Sequence, residues 1–367
     1  MNKAEYAINS CLTGQNGVSR RNWPLNCWWV AATAAEVSTK PISRWVLEQR
    51  VVLFRTEQGA PAALEDRCAH RWAPLSQGKL IGDDIACPYH GFRYNSRGQC
   101  TLVPSQSHIP KALKVRSYPV REHGSYVWLW MGDPAKADPA LLPNIPWFSD
   151  PAWVQVRGYT EMKCNYLAIQ ENLLDMTHAA HLHASAWQQF EFEVKDWQFK
   201  PLDIKVADCS LTMVLTDSSE ATLSPFEAKL MGLDVGKAIR RSDIVTFASP
   251  ACNFAENNVT DSAATSGERS RYIHHGMHCI TPISADWCHY WWANAMDYGH
   301  EIANAADEMI AFLTYGYNQD KEMLEAIQAT RERDMRGDNV PEISVAAERA
   351  PMLARGIVKK MLDAEAV

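Results

Sequence analysis

Cys68-Ala69-His70, sixteen further residues, then Cys87-Pro88-Tyr89-His90 is the stretch that decides how this chain is read. Each short loop brings one thiolate and one imidazole, and four such donors make a metal site. Two centres compete for it: a tetrahedral zinc ion and a Rieske 2Fe–2S cluster, in which two His replace two Cys on one iron. Structural zinc sites more often keep the two Cys together and the two His together. Here each loop supplies one ligand of each type, so the spacing favours a cluster with Cys68 and Cys87 on one iron and His70 and His90 on the other. Arg71, Pro74-Leu75 and Gly91 flank the loops in keeping with that reading.

The 367 residues exceed what one core usually holds, which predicts two domains. A hydrophobic share of 47% with 14 Trp can fill them. A net charge of −7 argues against a nucleic-acid partner. Met1 to Arg21 has no basic start followed by an apolar run, and no window approaches eighteen apolar residues, so neither a signal peptide nor a membrane span is expected. The expected compartment is the reducing cytoplasm. Of the 10 Cys, two go to the cluster; Cys11, Cys27, Cys100, Cys164, Cys209, Cys252, Cys279 and Cys288 read as buried, small apolar residues.

Along the chain, residues 1–22 form a polar arm. Residues 23–135 read as a small all-β cluster domain, with strands over Trp45 to Phe54, Ala60 to Leu64 and Ser125 to Trp130. Residues 136–152, rich in Pro, read as a linker. Residues 153–367 form an α+β domain. Its strands are expected at Val154–Lys163, Ser210–Leu215, Asp243–Ala248, Tyr272–Ile280 and Trp287–Ala295, the last two as a hairpin. Helices are expected over Asn165–Ala180, Ala303–Arg333 and Ala347–Ala364, and Ser218 to Arg241 reads as a long irregular lid.

An electron-carrying cluster beside a larger domain suggests that the electrons are used there. Within Glu171 to His183, His178 and His183 are five apart and can converge on one ion near a helix end. Two His and one carboxylate form the facial triad of non-haem Fe(II) oxygenases, which leaves positions open for O₂ and substrate. His181 could also pair with either neighbour, and the residues alone leave that choice open.

The chain resembles the oxygenase component of Rieske non-haem iron oxygenases, in the branch of the vanillate and dicamba O-demethylases and the toluenesulfonate methyl-monooxygenase. The resemblance rests on Asn26-Cys27-Trp28-Trp29-Val30-Ala31-Ala32, the cluster motifs, Val103-Pro104, Ser117-Tyr118-Pro119-Val120, Val127-Trp128-Leu129-Trp130 and Asn172-Leu173-Leu174-Asp175-Met176-Thr177-His178. It implies an N-terminal all-β Rieske domain followed by a helix-grip catalytic domain. His178 and His183 then hold mononuclear Fe(II), with His181 a bystander. Asp175 and Asn172 are the catalytic residues implied. Asp175 links His178 to His90 of a neighbouring subunit, so a homotrimer is implied. The third iron ligand is expected at the start of the long helix, among Asp297, Glu301, Asp307 and Glu308. Asp307 is chosen for its position relative to Gln319-Asp320-Lys321. Trp72 departs from the small residue common in the family.

The function implied is that of a terminal oxygenase. It takes electrons through the 2Fe–2S cluster and uses O₂ at iron to oxidise an aromatic small molecule, with monooxygenation and O-demethylation favoured over ring cis-dihydroxylation. A different class, a non-catalytic Rieske electron carrier or redox sensor, has no use for Asp175, His178 and His183. No G-x-G-x-x-G stretch and no second Cys cluster is present. NAD(P)H is therefore expected to act only indirectly, through a separate reductase, with or without a ferredoxin.

Overall fold

The computed structural model describes residues 22–190, 203–334, 336 and 340–366. Apart from Asn22, the expected N-terminal arm lies outside the described residues. The chain divides into two compact units, one of Leu25–Ile145 with Thr281–Ser284, the other including Pro146–Ile280 and Ala285–Val367.

The first unit is all β. Its strands are β1 (Trp28–Thr33), β2 (Ile42–Val46), β3 (Gln49–Arg55), β4 (Pro61–Glu65), β5 (Lys79–Ile81), β6 (Asp84–Ala86), β7 (Arg93–Tyr94), β8 (Cys100–Leu102), β9 (Val120–His123) and β10 (Tyr126–Trp130). They form three sheets, ordered β1-β10-β9, β2-β3-β4 and β5-β6-β7-β8. The strand expected over Trp45 to Phe54 is instead the β2–β3 hairpin. Leu47 and Glu48 take left-handed φ of 51° and 62°, the mirror-image turn that suits strand twist. Such turns favour Asn and Gly, so Leu-Glu carries no turn signal. Backbone bonds hold it: Leu47 N–H donates to Pro282 O at 2.7 Å and Glu48 N–H to Ile283 O at 3.1 Å.

The second unit is built on a seven-stranded sheet. Its strands are β11 (Val154–Met162), β12 (Asp203–Val206), β13 (Leu211–Thr222), β14 (Ala238–Ser249), β15 (Cys252–Thr260), β16 (Arg271–Ser284) and β17 (Trp287–Met296). Their order is β11-β17-β16-β15-β14-β13-β12. The helices are α1 (Tyr166–Leu174), α2 (Ala179–Leu182), α3 (Ala184–Gln189), α4 (Pro225–Met231), α5 (Ala305–Arg333) and α6 (Arg349–Glu365). At 29 residues, α5 is about 43 Å long. Ala350, Ala354, Ile357 and Val358 of α6 close a core with Leu174, Leu211, Met213 and Phe247.

Four expectations are corrected. The helix expected over Asn165–Ala180 ends at Leu174, because Asp175 is extended (φ −121°, ψ 96°) and its carboxylate accepts from Thr177 N–H, starting a 3₁₀ turn over Met176–His178. The lid expected over Ser218 to Arg241 is ordered: β13 runs into α4, which a Ser224–Glu227 capping box and Gly232 in the left-handed region delimit, and β14 follows. β15 was not anticipated. Cys209 is exposed and Cys100 is half-buried, unlike the buried Cys27, Cys164, Cys252, Cys279 and Cys288.

Gly158 of β11 faces Trp292 of β17 across the sheet. A Cβ there would lie 2.0 Å from Trp292 Cζ2, and the indole is itself buried, 5.4 Å from the Tyr317 ring. Gly158→Ala is therefore expected to destabilise the protein by about 1–3 kcal/mol through overpacking, seen as a lower urea midpoint at unchanged slope.

Candidate active site and cluster loops

The break at Asp175 builds the site. By ending α1 there, the chain turns His178 back toward the helix it has just left. The Asp175 backbone carbonyl accepts from His178 Nδ1 at 2.6 Å. The Asp175 carbonyl thus orients His178, while its carboxylate caps Thr177 N–H at 3.0 Å. His183, at the α2–α3 junction, hydrogen bonds through Nδ1 to Gln319 Oε1 at 3.0 Å. Both Nδ1 atoms face acceptors, so in the neutral imidazoles each Nε2 carries the lone pair that a metal would take. His178 Nε2 lies 3.4 Å, and His183 Nε2 3.3 Å, from Asp320 Oδ1. Asn172 Nδ2 donates to the same oxygen at 3.1 Å and lies 3.4 Å from His178 Nε2.

The donor atoms of His178, His183 and Asp320 fall within 4.8 Å of one another. Asp307 does not join them. It is exposed on the first turn of α5, and thirteen residues, about 20 Å of helix, separate it from Asp320. Two alternatives are engaged elsewhere: Asp297 pairs with Arg269, and Glu308 with Lys229. Glu301 and His181 are exposed. The helix carried a usable signal. Met309, Phe312, Leu313, Gly316, Tyr317 and Asp320 all line one cavity, spaced as one helical stripe. Following that stripe reaches Asp320 and passes Asp307 by.

Burial lowers the His178 pKa below its ordinary value against the pull of Asp320. Burial also acts to lower His183, but the hydrogen bond and charge of Asp320, with Gln319, raise it overall. Two imidazoles and one carboxylate, desolvated together and with lone pairs converging, fit a divalent metal of the iron type. The cavity beside them is about 280 Å³, the size of a single substituted ring, and is walled by Trp187, Phe226, Phe312 and Leu313. His278 lines this cavity, whereas Trp292 is buried against Gly158.

In the first unit the two Cys-His loops close alike. Cys68 O accepts from Trp72 N–H at 3.0 Å, and Cys87 O from Gly91 N–H at 3.1 Å. The residue four after each Cys is left-handed, Trp72 at 61° and Gly91 at 73°. Glycine meets this without strain; Trp72 meets it with its ring exposed and the Arg67 guanidinium 4.3 Å from its centre. Cys68 and Cys87 are buried, whereas His70 and His90 are exposed with ring centres 4.7 Å apart. Tyr94 Oη lies 3.2 Å from Cys68 Sγ. Burial raises the Cys87 pKa, while the Tyr89 and His90 N–H groups lower it. Paired buried sulfurs next to paired exposed imidazoles fit a Rieske cluster with its His-held iron toward solvent.

Residues 162–364 match the model of the vanillate O-demethylase oxygenase C-terminal domain, and residues 27–119 that of the Rieske [2Fe-2S] domain. The chain is 30% identical to a putative toluene-4-sulfonate monooxygenase system iron-sulfur subunit of Comamonas testosteroni, over 93% of this chain and 97% of the relative. It is 32% identical to the dicamba O-demethylase oxygenase component of Stenotrophomonas maltophilia, over 83% and 88%. The crystal structure of dicamba monooxygenase with non-haem iron and dicamba superposes with a TM-score of 0.76 at 27% identity, covering 93% of this chain and 98% of that one.

Burial pushes His274 and His278 down from the ordinary 6.5 to about 4. Both are neutral in the folded protein at pH 7. Between pH 6.5 and 4 the unfolded chain binds protons that the folded one does not. Stability should fall with falling pH there by up to about 1.4 kcal/mol per unit for each His, and the slope should end below the folded value. Denaturation curves between pH 7.5 and 4.5 test this: His274→Asn and His278→Gln should each flatten the dependence.

Proposed function

The chain belongs to the Rieske non-haem iron oxygenases of the vanillate O-demethylase type, and from that premise we propose that it hydroxylates the methyl of a methoxy or similar substituent on an aromatic compound. The hemiacetal so formed falls apart, and the net result is demethylation. The chain is an oxygenase component, so its electrons come from a separate reductase, and NAD(P)H is consumed there. No helix among the described residues is long and apolar enough to cross a membrane; we place the protein in the cytoplasm. The observation that carries the reading is the convergence of His178, His183 and Asp320 beside an apolar, ring-sized cavity. An electron carrier has no use for it.

Cys68, His70, Cys87 and His90 would hold the cluster, and His178, His183 and Asp320 the iron. When bound, these groups supply stored electrons and the activation of O₂. The protein's own part is positional. The Asp175 carbonyl and Gln319 keep the Nδ1 protons in place, so that both Nε2 atoms stay available as ligands. Asn172 fixes the Asp320 carboxylate through the bond to Oδ1. The aromatic and aliphatic wall would shield a substrate beside the triad from water.

In a homotrimer, the half-buried Asp175 carboxylate would accept a hydrogen bond from His90 of a neighbouring subunit and tie the two metal sites together. Asp175→Asn leaves its carbonyl bond to His178 intact. The variant should therefore load both metals and stay oligomeric, yet its reduced form should reoxidise with O₂ and substrate at least about tenfold more slowly in rapid mixing. Reoxidation at the parent rate would contradict the bridge. His178→Ala, His183→Ala and Asp320→Ala should each lose one iron of about three per chain and keep the cluster absorbance, whereas Asp307→Ala should keep all three.

A further inference from the structure

The cavity beside the triad has an unusual charge balance. Arg241 is its one cationic side chain among the described residues, and it is 9% exposed. Arg241 is already paired with Oε1 of Glu227. Glu227 is itself fixed, because its Oε2 accepts from Ser224 N–H at 3.1 Å and from Ser224 Oγ at 2.8 Å. A second acid, Asp243, is the next inward-facing residue along β14 and also lines the cavity.

Asp243 begins a polar row across the sheet. It stands opposite Asn257, which stands opposite His274, and His274 Nε2 bonds Asn294 Oδ1 at 2.8 Å. Asn257 directs its amide nitrogen at Asp243, 2.8 Å away. The row spends the Asn257 amide nitrogen on Asp243, which also accepts from Thr216, and it leaves acceptors at Asp243, Asn257 Oδ1 and His274 Nδ1 beside one buried donor that the row does not take up, Asn294 Nδ2. Burial keeps His274 neutral, so it adds no positive charge.

We propose that this cavity takes a neutral aromatic ether bearing a hydrogen-bond donor, such as an amide or a hydroxyl, and rejects aromatic carboxylates and sulfonates. The inference rests on the reading above that the cavity holds an aromatic substrate, and adds the charge class of that substrate. A carboxylate buried here would meet an arginine already paired with Glu227 and a second acid, Asp243, two residues along the same strand. Desolvation of an ion without a free partner is costly. A donor-bearing neutral ring would satisfy the acceptors of the row while its apolar part covers Phe226 and Phe312. In this respect the site departs from the relative named for toluene-4-sulfonate, an anion.

The test is anaerobic titration calorimetry on the protein carrying its cluster and iron, which reports binding without turnover. 4-Methoxybenzamide and 4-methoxybenzoate have nearly the same shape and differ in charge. At pH 7.5 the amide should bind at least about tenfold more tightly. Glu227→Gln keeps a capping-box residue at its helix position and releases Arg241, so the preference should shrink or reverse. Asp243→Asn should move it the same way, and serves if the first variant does not give a cooperative unfolding transition. Equal or tighter binding of the benzoate to the parent protein would overturn the proposal alone, as would an unchanged ratio in both variants. Binding of neither compound would remove the aromatic reading itself, and this proposal with it.

Discussion

Two hydrogen bonds, from Nδ1 of His178 to the Asp175 carbonyl and from Nδ1 of His183 to Gln319, govern the second unit. They set which ring nitrogen of each imidazole is free, and both free nitrogens then meet one oxygen of Asp320. Neither bond would form if α1 ran on through Asp175. The helix must stop at Leu174, re-enter as a 3₁₀ turn, and pass His183 beside the fifth turn of α5. The sheet beneath and the length of α5 serve to hold those three chain segments in register. Without an ion, three desolvated polar groups converging in an apolar cavity are poorly compensated, which is the physical reason to read the cluster as a metal site.

The cluster loops were legible because their candidate ligands are local in sequence: a Cys and a His two or three residues on mark each loop whatever the fold around them. The two His of the triad were legible for the same reason. The carboxylate was not, since it comes from more than a hundred residues away. The resemblance points to an Asp at the helix start, where Asp307 sits, whereas the apolar stripe from Met309 leads to Asp320. The stripe carries the geometry, because only residues at helical spacing share the face that looks onto the sheet.

Other differences have physical causes too. Leu167 to Met176 keeps helical periodicity, so the break at Asp175 leaves no trace in the apolar pattern; it is made by side-chain capping. β15 holds Asn253, Asn257 and Asn258, poor strand formers by propensity. Asn253 and Asn257 line the cavity, so tertiary placement overrides local preference at a functional site. The Leu47-Glu48 turn is likewise imposed by backbone partners from residues 282–283 rather than by its own residues.

The account stands on the identity of the iron ligands, and a crystal structure of the loaded protein with data collected at the iron edge addresses that directly. It should show one anomalous peak bounded by Nε2 of His178, Nε2 of His183 and the Asp320 carboxylate, and a separate two-iron feature between the Cys68–His70 and Cys87–His90 loops. An iron bound at Asp307, or a fully loaded protein with no peak at Asp320, would contradict it.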